Sequence, residues 1–314
     1  MRRAVVVFMG LLVAARTAAA QLTYEGSLSG STGTYLFTER TTSFVLNNGL
    51  SFRTGRLTLR ASLPFWYQNT TLVTSSGSGS IPTGGPYGQE TVRDSGQARE
   101  QQGKGGNGPG GNGQGPGGPG GGAGPGGPGG ANPVVAPWPS FATGTIPAPE
   151  EALTGYQFML ADPMATATVR VVEAGRVRLS LGGTVKFPLA DTSRIGTGQW
   201  DFGGQGSVSV LVGSRWTLGL DASYWHLGDL DSLDLVDPLF GSLSVGTLIG
   251  ESWGAMFSVA AGTSTLTGFD PPVSLMATLS RFGSPASWGI NIGAGLTETT
   301  PAFTVGASWW VQFR

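Results

Sequence analysis

The sequence predicts an all-β fold, a transmembrane antiparallel up-and-down β-barrel of about 12 strands with a long disordered extracellular loop. Three observations predict it: apolar and polar residues alternate with a period of two, short and long connections alternate along the chain, and one internal segment is rich in Gly and Pro. The predicted order is a signal peptide at 1–20, the first barrel strands at 21–67, an insertion at 68–163 and the remaining strands at 164–314.

The C-terminal segment shows the strand pattern most clearly. From Phe303 to Phe313 every second residue is apolar, and the residues between them are mostly small or polar. Most segments of this kind are close to the ~9–11 residues with which a tilted strand crosses a bilayer. The predicted strands are 28–38, 43–53, 56–67, 164–173, 176–188, 200–212, 215–226, 239–248, 252–262, 272–281, 287–297 and 302–313.

Short turns built around Gly alternate with longer loops. The short turns are 53–56, 173–176, 212–215, 249–252 and 282–286. The long loops include 68–163, 189–199 and 227–238. Bacterial outer-membrane barrels have this arrangement, with short turns in the periplasm and long loops outside the cell. We therefore expect the chain in the bacterial outer membrane, with outer-membrane lipid around it.

Aromatic residues on the apolar faces fall near both ends of the strands. Near the short turns these are Phe52, Trp216, Trp253, Trp288 and Phe313. Near the long loops they are Phe65, Tyr67, Phe187, Tyr224 and Phe303. Two such groups predict two aromatic girdles, one at each membrane interface.

The first 20 residues have the features of a secretory signal peptide. Arg2 and Arg3 precede an apolar run at 4–15, and the small residues at 18–20 form a cleavage site. The apolar run is shorter than the ~20 residues of a membrane-spanning helix. We therefore expect export and a mature chain that starts at Gln21.

Composition excludes several classes of protein. The 314 residues include no Cys and one His, and only 12% are charged. Without Cys there is no disulfide scaffold, thiolate zinc site, thiol nucleophile or lipoprotein anchor, and one His cannot form a His-rich metal site. A formal net charge of −1 leaves no basic surface for nucleic acid. Aromatic residues make up 10% of the chain, which is too many for a wholly disordered protein.

The insertion at 68–163 differs from the rest of the chain. Of the 28 residues at 103–130, 18 are Gly, and most of the others are Pro, Asn or Gln. Such a segment cannot bury enough apolar surface to offset the entropy lost on ordering, so we predict disorder. It would lie outside the cell, between the third and fourth strands, as a flexible segment, an adhesive arm or a partial plug.

No catalytic, metal or cofactor site is predicted. His226 lies on the lipid-facing side of its strand, and in outer-membrane phospholipases the active Ser follows the His by two residues, where this chain has Gly228. Asp229, Asp231 and Asp234 alternate in the next loop but lack the Gly and the terminal Glu of a calcium loop. An outer-membrane hydrolase remains an alternative only if a nucleophile lies within hydrogen-bond reach of His226.

Charged residues predicted to face the lumen are the candidate functional residues. The alternation places Arg60, Arg170, Arg178 and Lys186 inward on three neighbouring strands, and Asp221 inward on another wall. The three arginines lie near short turns, which predicts a basic ladder at one height opposite Asp221. Two interpretations remain open: a constriction whose opposed charges select or orient solutes, or a salt-bridge network that fills a closed lumen.

One strand–loop–strand unit carries a resemblance to a known family. Residues 184–203 read TVKFPLADTSRIGTGQWDFG and resemble outer-membrane barrel transporters associated with the phenol meta-degradation pathway (MetA-pathway type). The matching parts are 185–188, at the end of one strand, and 196–203, which open the next. The resemblance extends loosely over 164–313. It implies uptake of small molecules, often aromatic or hydrophobic, without a cofactor, and it carries over no substrate-binding residue.

The chain departs from that family in two places, the insertion at 68–163 and Arg314 after Phe313. The barrel assembly machinery is the expected partner of the C-terminal strand ending at Phe313.

The sequence as a whole predicts a channel for passive uptake of small molecules. The alternative is a non-conducting surface barrel that anchors a Gly-rich loop for adhesion or interaction, with a lumen filled by Arg–Asp pairs and the inward Trp225 and Trp310.

Overall fold

The computed structural model describes residues 21–104, 146 and 155–313, which form a closed antiparallel β-barrel of 12 wall strands. The predicted signal peptide and most of the Gly-rich run lie outside the described residues. The strands are β1 (Gln21–Gly33), β2 (Thr41–Thr54), β3 (Leu57–Gln68), β4 (Thr74–Ser76), β5 (Gly79–Ile81), β6 (Gln157–Leu160), β7 (Met164–Ala174), β8 (Val177–Lys186), β9 (Asp201–Val212), β10 (Trp216–His226), β11 (Leu239–Ile249), β12 (Trp253–Gly262), β13 (Val273–Arg281), β14 (Ala286–Gly295) and β15 (Phe303–Phe313). The helix is α1 (Gly85–Lys104).

The first strand closes the barrel. β1 pairs with β2 over its whole length and with β15 from Leu22–Phe313 to Thr32–Phe303. β6 and β7 both pair with β3, one above the other, and together form the fourth wall strand. Closure matters because unpaired backbone groups are very costly in lipid, where no water can satisfy them.

Eleven of the predicted strands are confirmed to within two residues at each end, but the first is wrong. It spans 21–33 instead of 28–38. Two features misled the prediction. Gly26 interrupts the apolar face of β1, because the ring of Trp309 covers this position. The apolar Leu36 and Phe37 belong to the following loop, where they are fully buried.

The outward face of the wall is apolar, as contact with lipid requires. Leu28, Leu220 and Leu243 are among its exposed side chains. The aromatic residues predicted for the girdles are outward-facing, and some touch one another. The rings of Trp253 and Trp288 are 5.4 Å apart near the short turns. Near the long loops, Tyr67 lies next to Phe44 and stacks on Tyr156, and Phe65 stacks on Phe158.

The insertion begins with an ordered unit and ends with strand β6, so the prediction of disorder over 68–163 is wrong for residues 69–104 and 155–163. We call residues 69–104 the cap: they include the β4–β5 hairpin and helix α1. Its apolar residues Leu72, Ile81 and Val92 are buried in a cluster with apolar side chains of the long loops. The other members of the cluster are Leu36, Phe37, Ile146, Trp225, Leu227, Leu230, Leu233, Leu235, Leu266 and Phe269. A few well-spaced apolar residues thus order a segment whose average composition is polar.

Helix α1 lies very close to the loop at 263–272. A Cβ atom on Gly96 would come within 2.2 Å of the carbonyl oxygen of Thr267, so only Gly fits at this point. Arg99 forms an ion pair with Glu298, and its guanidinium lies 4.5 Å from the centre of the Phe269 ring. Among the described residues, no helix is both long and apolar enough to span a membrane. The contacts of Gly96 and Arg99 with two of the long loops place the cap across the long-loop end of the barrel.

Candidate functional site in the barrel lumen

The inner face of β8–β15 carries mostly small side chains. They include Ser180, Gly182, Ser207, Ser223, Ser242, Ser244, Ser258, Ala260, Ser280, Gly293 and Ser308. Side chains just fill the interior of an eight-stranded barrel, whereas a 12-stranded barrel is wider. Small inward residues therefore leave open space, including a cavity of about 290 Å³ next to Gln205, Asp221 and Ser242.

Asp221 faces this cavity, as predicted. Its Oδ2 accepts a hydrogen bond of 3.2 Å from the hydroxyl of Ser242, and its side chain is exposed to the lumen. The carboxylate makes no ion pair with a described residue. Asp221 thus contributes an uncompensated negative charge to this wall.

Arg60 forms an ion pair with Glu25 across an intervening strand. The distance from Arg60 Nε to Glu25 Oε2 is 3.0 Å. Glu25 is on β1 and Arg60 on β3, so the arginine crosses β2, where Gly49 lies opposite Glu25. A Cβ at position 49 would already be 3.7 Å from Arg60 Nε, so a larger side chain there would obstruct the pair.

Arg170 and Arg178 form a separate cluster around Glu173. Arg170 Nη1 lies 2.8 Å from Glu173 Oε2, and Arg178 Nε lies 3.7 Å from Glu173 Oε1. The backbone amide of Arg170 donates a hydrogen bond to the carbonyl of Arg56, so Arg170 lies level with Arg56. Arg60 is four residues further along β3, which at ~3.3 Å per residue places it about 13 Å away. The predicted single ladder of three arginines is therefore wrong, because the register of β3 against β7 separates them into two groups.

Lys186 does not line an open lumen, contrary to the prediction. Its side chain is 1% exposed and its Nζ lies 3.2 Å from Asp162 Oδ2 and 3.0 Å from Asp201 Oδ2. The ammonium also donates a hydrogen bond of 2.6 Å to Thr197 Oγ1. The strand alternation correctly places Lys186 inward, but the loop after β8 folds over it and excludes water.

We call Lys186, Asp162 and Asp201 the ion cluster. Its carboxylates connect four parts of the chain. Asp162 Oδ1 accepts hydrogen bonds from the backbone of Leu189 and Ala190 at 2.8 and 2.7 Å. Asp201 Oδ2 accepts one of 2.7 Å from the backbone of Gly77 in the cap, and its Oδ1 accepts one of 3.1 Å from the loop residue Gly228.

The ion cluster was missed from the sequence, although a signal was present. Lys186 and Asp201 are the last residue of β8 and the first of β9, they pair directly, and both face inward. Opposite charges at facing positions on the same side of a hairpin predict an ion pair. Asp162 could not be found in this way, because it lies between β6 and β7 in the predicted disordered segment.

The two predicted inward tryptophans have different surroundings. Trp225 is buried beneath the cap, and a Cβ on Gly77 would lie 2.4 Å from its ring. Trp310 contributes to a second lumen cavity of about 230 Å³ together with Glu25 and Arg60. Neither ring fills the middle of the barrel.

His226 is outward-facing and exposed, as predicted. Its Nδ1 donates a hydrogen bond of 2.9 Å to Asp237 Oδ2, which also accepts one of 3.0 Å from the hydroxyl of Tyr224. The hydrogen bond from His226 holds the pKa of the Asp237 carboxyl below its usual value. Within the described ranges, no Ser or Thr hydroxyl is hydrogen-bonded to His226. No group of three or more potential His, Cys or carboxylate metal ligands occurs there either.

The closed wall, its apolar outer face and its polar lumen define an outer-membrane β-barrel, with the long loops and the cap together at one end. No family model matches the sequence, and no curated protein matches it significantly. The fold is similar to that of the COG4313 outer membrane channel from Pseudomonas putida F1, with a TM-score of 0.57 and 14% identity over 94% of this chain and 96% of that chain. The predicted resemblance to outer-membrane transporters is thus confirmed at the level of the fold.

Two further channels have weaker structural similarity. The toluene transporter TodX of P. putida gives a TM-score of 0.43 with 10% identity over 94% of this chain and 90% of that chain. The CymD monoaromatic hydrocarbon channel also gives 0.43 with 10% identity, over 95% of this chain and 89% of that chain.

Replacement of Asp201 by Ala tests the role of the ion cluster. The change removes one of the two partners of a buried ammonium and the acceptor of the Gly77 amide. Lys186 still has Asp162 as an ion-pair partner in this variant. We therefore expect the free energy of unfolding to fall by about 3 kcal/mol, which is the lower end of the range for removing one partner of a buried ion pair. We also expect faster trypsin cleavage after Arg93 in the cap, whereas unchanged stability and protection would contradict this role.

The matched control is Asp221→Ala, since Asp221 is also an inward-facing aspartate but makes a single exposed hydrogen bond. The expected loss is less than about 1 kcal/mol, with no change in trypsin cleavage.

Proposed function

We propose that this protein is an outer-membrane channel for passive uptake of small molecules, closed at its extracellular end by the cap. The observation that carries the proposal is the small, polar inner face of β8–β15, which leaves space inside a closed barrel. A barrel that served only as an anchor would gain stability from a filled interior, because buried side chains contribute contacts that open space does not.

The lumen charges support the constriction interpretation over the filled network. The side chain of Arg178 is 68% exposed and Asp221 has no ion-pair partner among the described residues, whereas the charge of Arg60 is compensated by Glu25. The charges of Arg178 and Asp221 are therefore available to a passing solute. Arg53, Arg56, Arg176 and Arg215 add positive charge at the short-turn end. An excess of fixed positive charge attracts anions, so we infer a preference for anions at the periplasmic exit.

One observation favours the alternative, a non-conducting surface barrel. The cap closes the extracellular end with a buried apolar cluster, and five loops contact it. On the channel proposal the cap must move for solute to enter. On the anchor proposal it stays in place and presents the Gly-rich segment.

We further infer that the barrel assembly machinery recognises β15. This strand has a regular apolar outer face that ends on Phe313, which is half exposed towards lipid. The inference concerns assembly and is independent of conduction.

Single-channel recording in planar bilayers tests the proposed function. The refolded mature chain is compared with a variant that lacks residues 75–155, and folding of both is checked by circular dichroism. We expect discrete conductance steps that increase when the cap is removed, because the lumen beneath it is open. Silence from both folded proteins would contradict the proposal and favour the anchor.

Replacement of Arg178 by Glu tests the lumen charges in the same recordings. The change reverses the sign of an exposed charge near the periplasmic exit, so the reversal potential in a KCl gradient should shift towards cation selectivity. Arg194→Glu is the control, since Arg194 is an exposed arginine of an extracellular loop that pairs with Asp191. Equal shifts for the two variants would show that Arg178 does not act at a constriction.

A further inference from the structure

A small polar cavity in the lumen wall has the features of a solute-binding site. It measures about 230 Å³ and lies over β1, β2, β3 and β15. Its side chains come from Glu25, Ser27, Asn47, Arg60, Ser308 and Trp310. Strand register holds them together, because Glu25 pairs with Trp310, and Ser27 lies between Asn47 and Ser308. The cavity thus belongs to rigid wall strands and not to a loop.

The charges in this cavity compensate one another. Glu25 and Arg60 form an ion pair of 3.0 Å, so together they present no net charge. An ionic solute would have to compete with this existing pair for either partner. A neutral solute can instead use the remaining N–H donors of the guanidinium and the remaining lone pairs of the carboxylate. The site therefore favours neutral solutes.

The other polar groups suit a solute with several hydroxyl groups. Ser27 and Ser308 can each donate and accept, and the Asn47 amide does both. Asn47 Oδ1 has no hydrogen-bond partner among the described residues, so the amide can turn to offer its oxygen to a hydroxyl in the cavity. The cavity and a solute with several hydroxyl groups each offer several donors and acceptors, so several hydrogen bonds can form at the same time.

Trp310 lines the cavity beside these polar groups. The face of an indole ring carries partial negative charge and attracts the C–H groups of a ring stacked on it. A sugar ring has such C–H groups on its faces and hydroxyls around its edge. An unsubstituted aromatic ring would stack equally well but would leave Glu25, Asn47 and Arg60 facing an apolar edge, which costs free energy.

The size of the cavity limits the ligand to a single ring. Pockets for drug-sized ligands measure ~300–1,000 Å³, and this cavity is smaller. We propose that it is a subsite for a neutral, multiply hydroxylated ring of monosaccharide size. The proposal rests on the proposed function, since the solute reaches the cavity through the lumen, and it names a solute class that differs from the aromatic compounds implied by the resemblance of 184–203.

Saturation-transfer NMR on the full mature chain in micelles tests the subsite directly, with D-glucose and phenol as probes. We expect glucose to give a saturation-transfer signal that falls at least fivefold in Trp310→Ala. Trp309→Ala is the matched control, because Trp309 is the next residue of β15 but faces lipid, and the glucose signal should be unchanged. Phenol should give a weaker signal that does not depend on Trp310.

A second variant, Ser308→Leu, tests the subsite even if Trp310→Ala does not fold. Ser308→Leu fills the cavity with an apolar side chain and keeps the aromatic ring, so it should also abolish the glucose signal. Absence of a glucose signal in the unmodified chain, or a signal that survives both changes, would overturn the proposal. A Trp310-dependent phenol signal stronger than that of glucose would also overturn it, in favour of aromatic solutes.

The NMR result is independent of the conductance result. If glucose binds in a Trp310-dependent way but no conductance is recorded, the subsite is supported and the channel is rejected. If discrete conductance is recorded but glucose gives no signal, the channel is supported and the subsite is rejected.

Discussion

Complete backbone pairing in lipid is the constraint on which the rest of this structure depends. It requires β1 to pair with β15, and the closed wall then assigns each residue to lipid or lumen by alternation. The outer face must be apolar, which leaves the inner face free to carry small and polar residues. The space inside the barrel is thus a consequence of 12 strands combined with short inward side chains.

The cap shows how a polar barrel end is closed without a large hydrophobic core. Four apolar residues of the insertion meet apolar residues of the loops, and Asp201 holds the tip of the hairpin through the Gly77 amide. Asp201 is itself fixed by Lys186. Buried charges of this kind are tolerated because they are paired and hydrogen-bonded, and they define one position for the groups around them. The ion cluster is therefore a fixed point at which wall, loops and cap meet.

The sequence predicted the barrel well because alternation and loop length are local patterns imposed by the bilayer. It failed where tertiary contacts decided the outcome. Leu36 and Phe37 extended the predicted first strand, although they pack under the cap. The low average hydrophobicity of 68–163 concealed Val92, whose burial orders helix α1. Alternation gave the inward direction of the five predicted lumen residues, but it missed Glu25, which precedes the predicted first strand. It also could not show that a loop covers Lys186 or that the register separates Arg60 from Arg170.

The most direct test of a water-filled lumen beneath a closed cap uses thiol labelling, since the natural chain contains no Cys. Ser244→Cys places a thiol on the inner face of β11, and Leu243→Cys places one on the neighbouring lipid face. With the protein in a bilayer, a membrane-impermeant maleimide should label Ser244→Cys but not Leu243→Cys, and more slowly from the extracellular side than from the periplasmic side. Equal resistance of both positions to labelling from either side would contradict an open lumen.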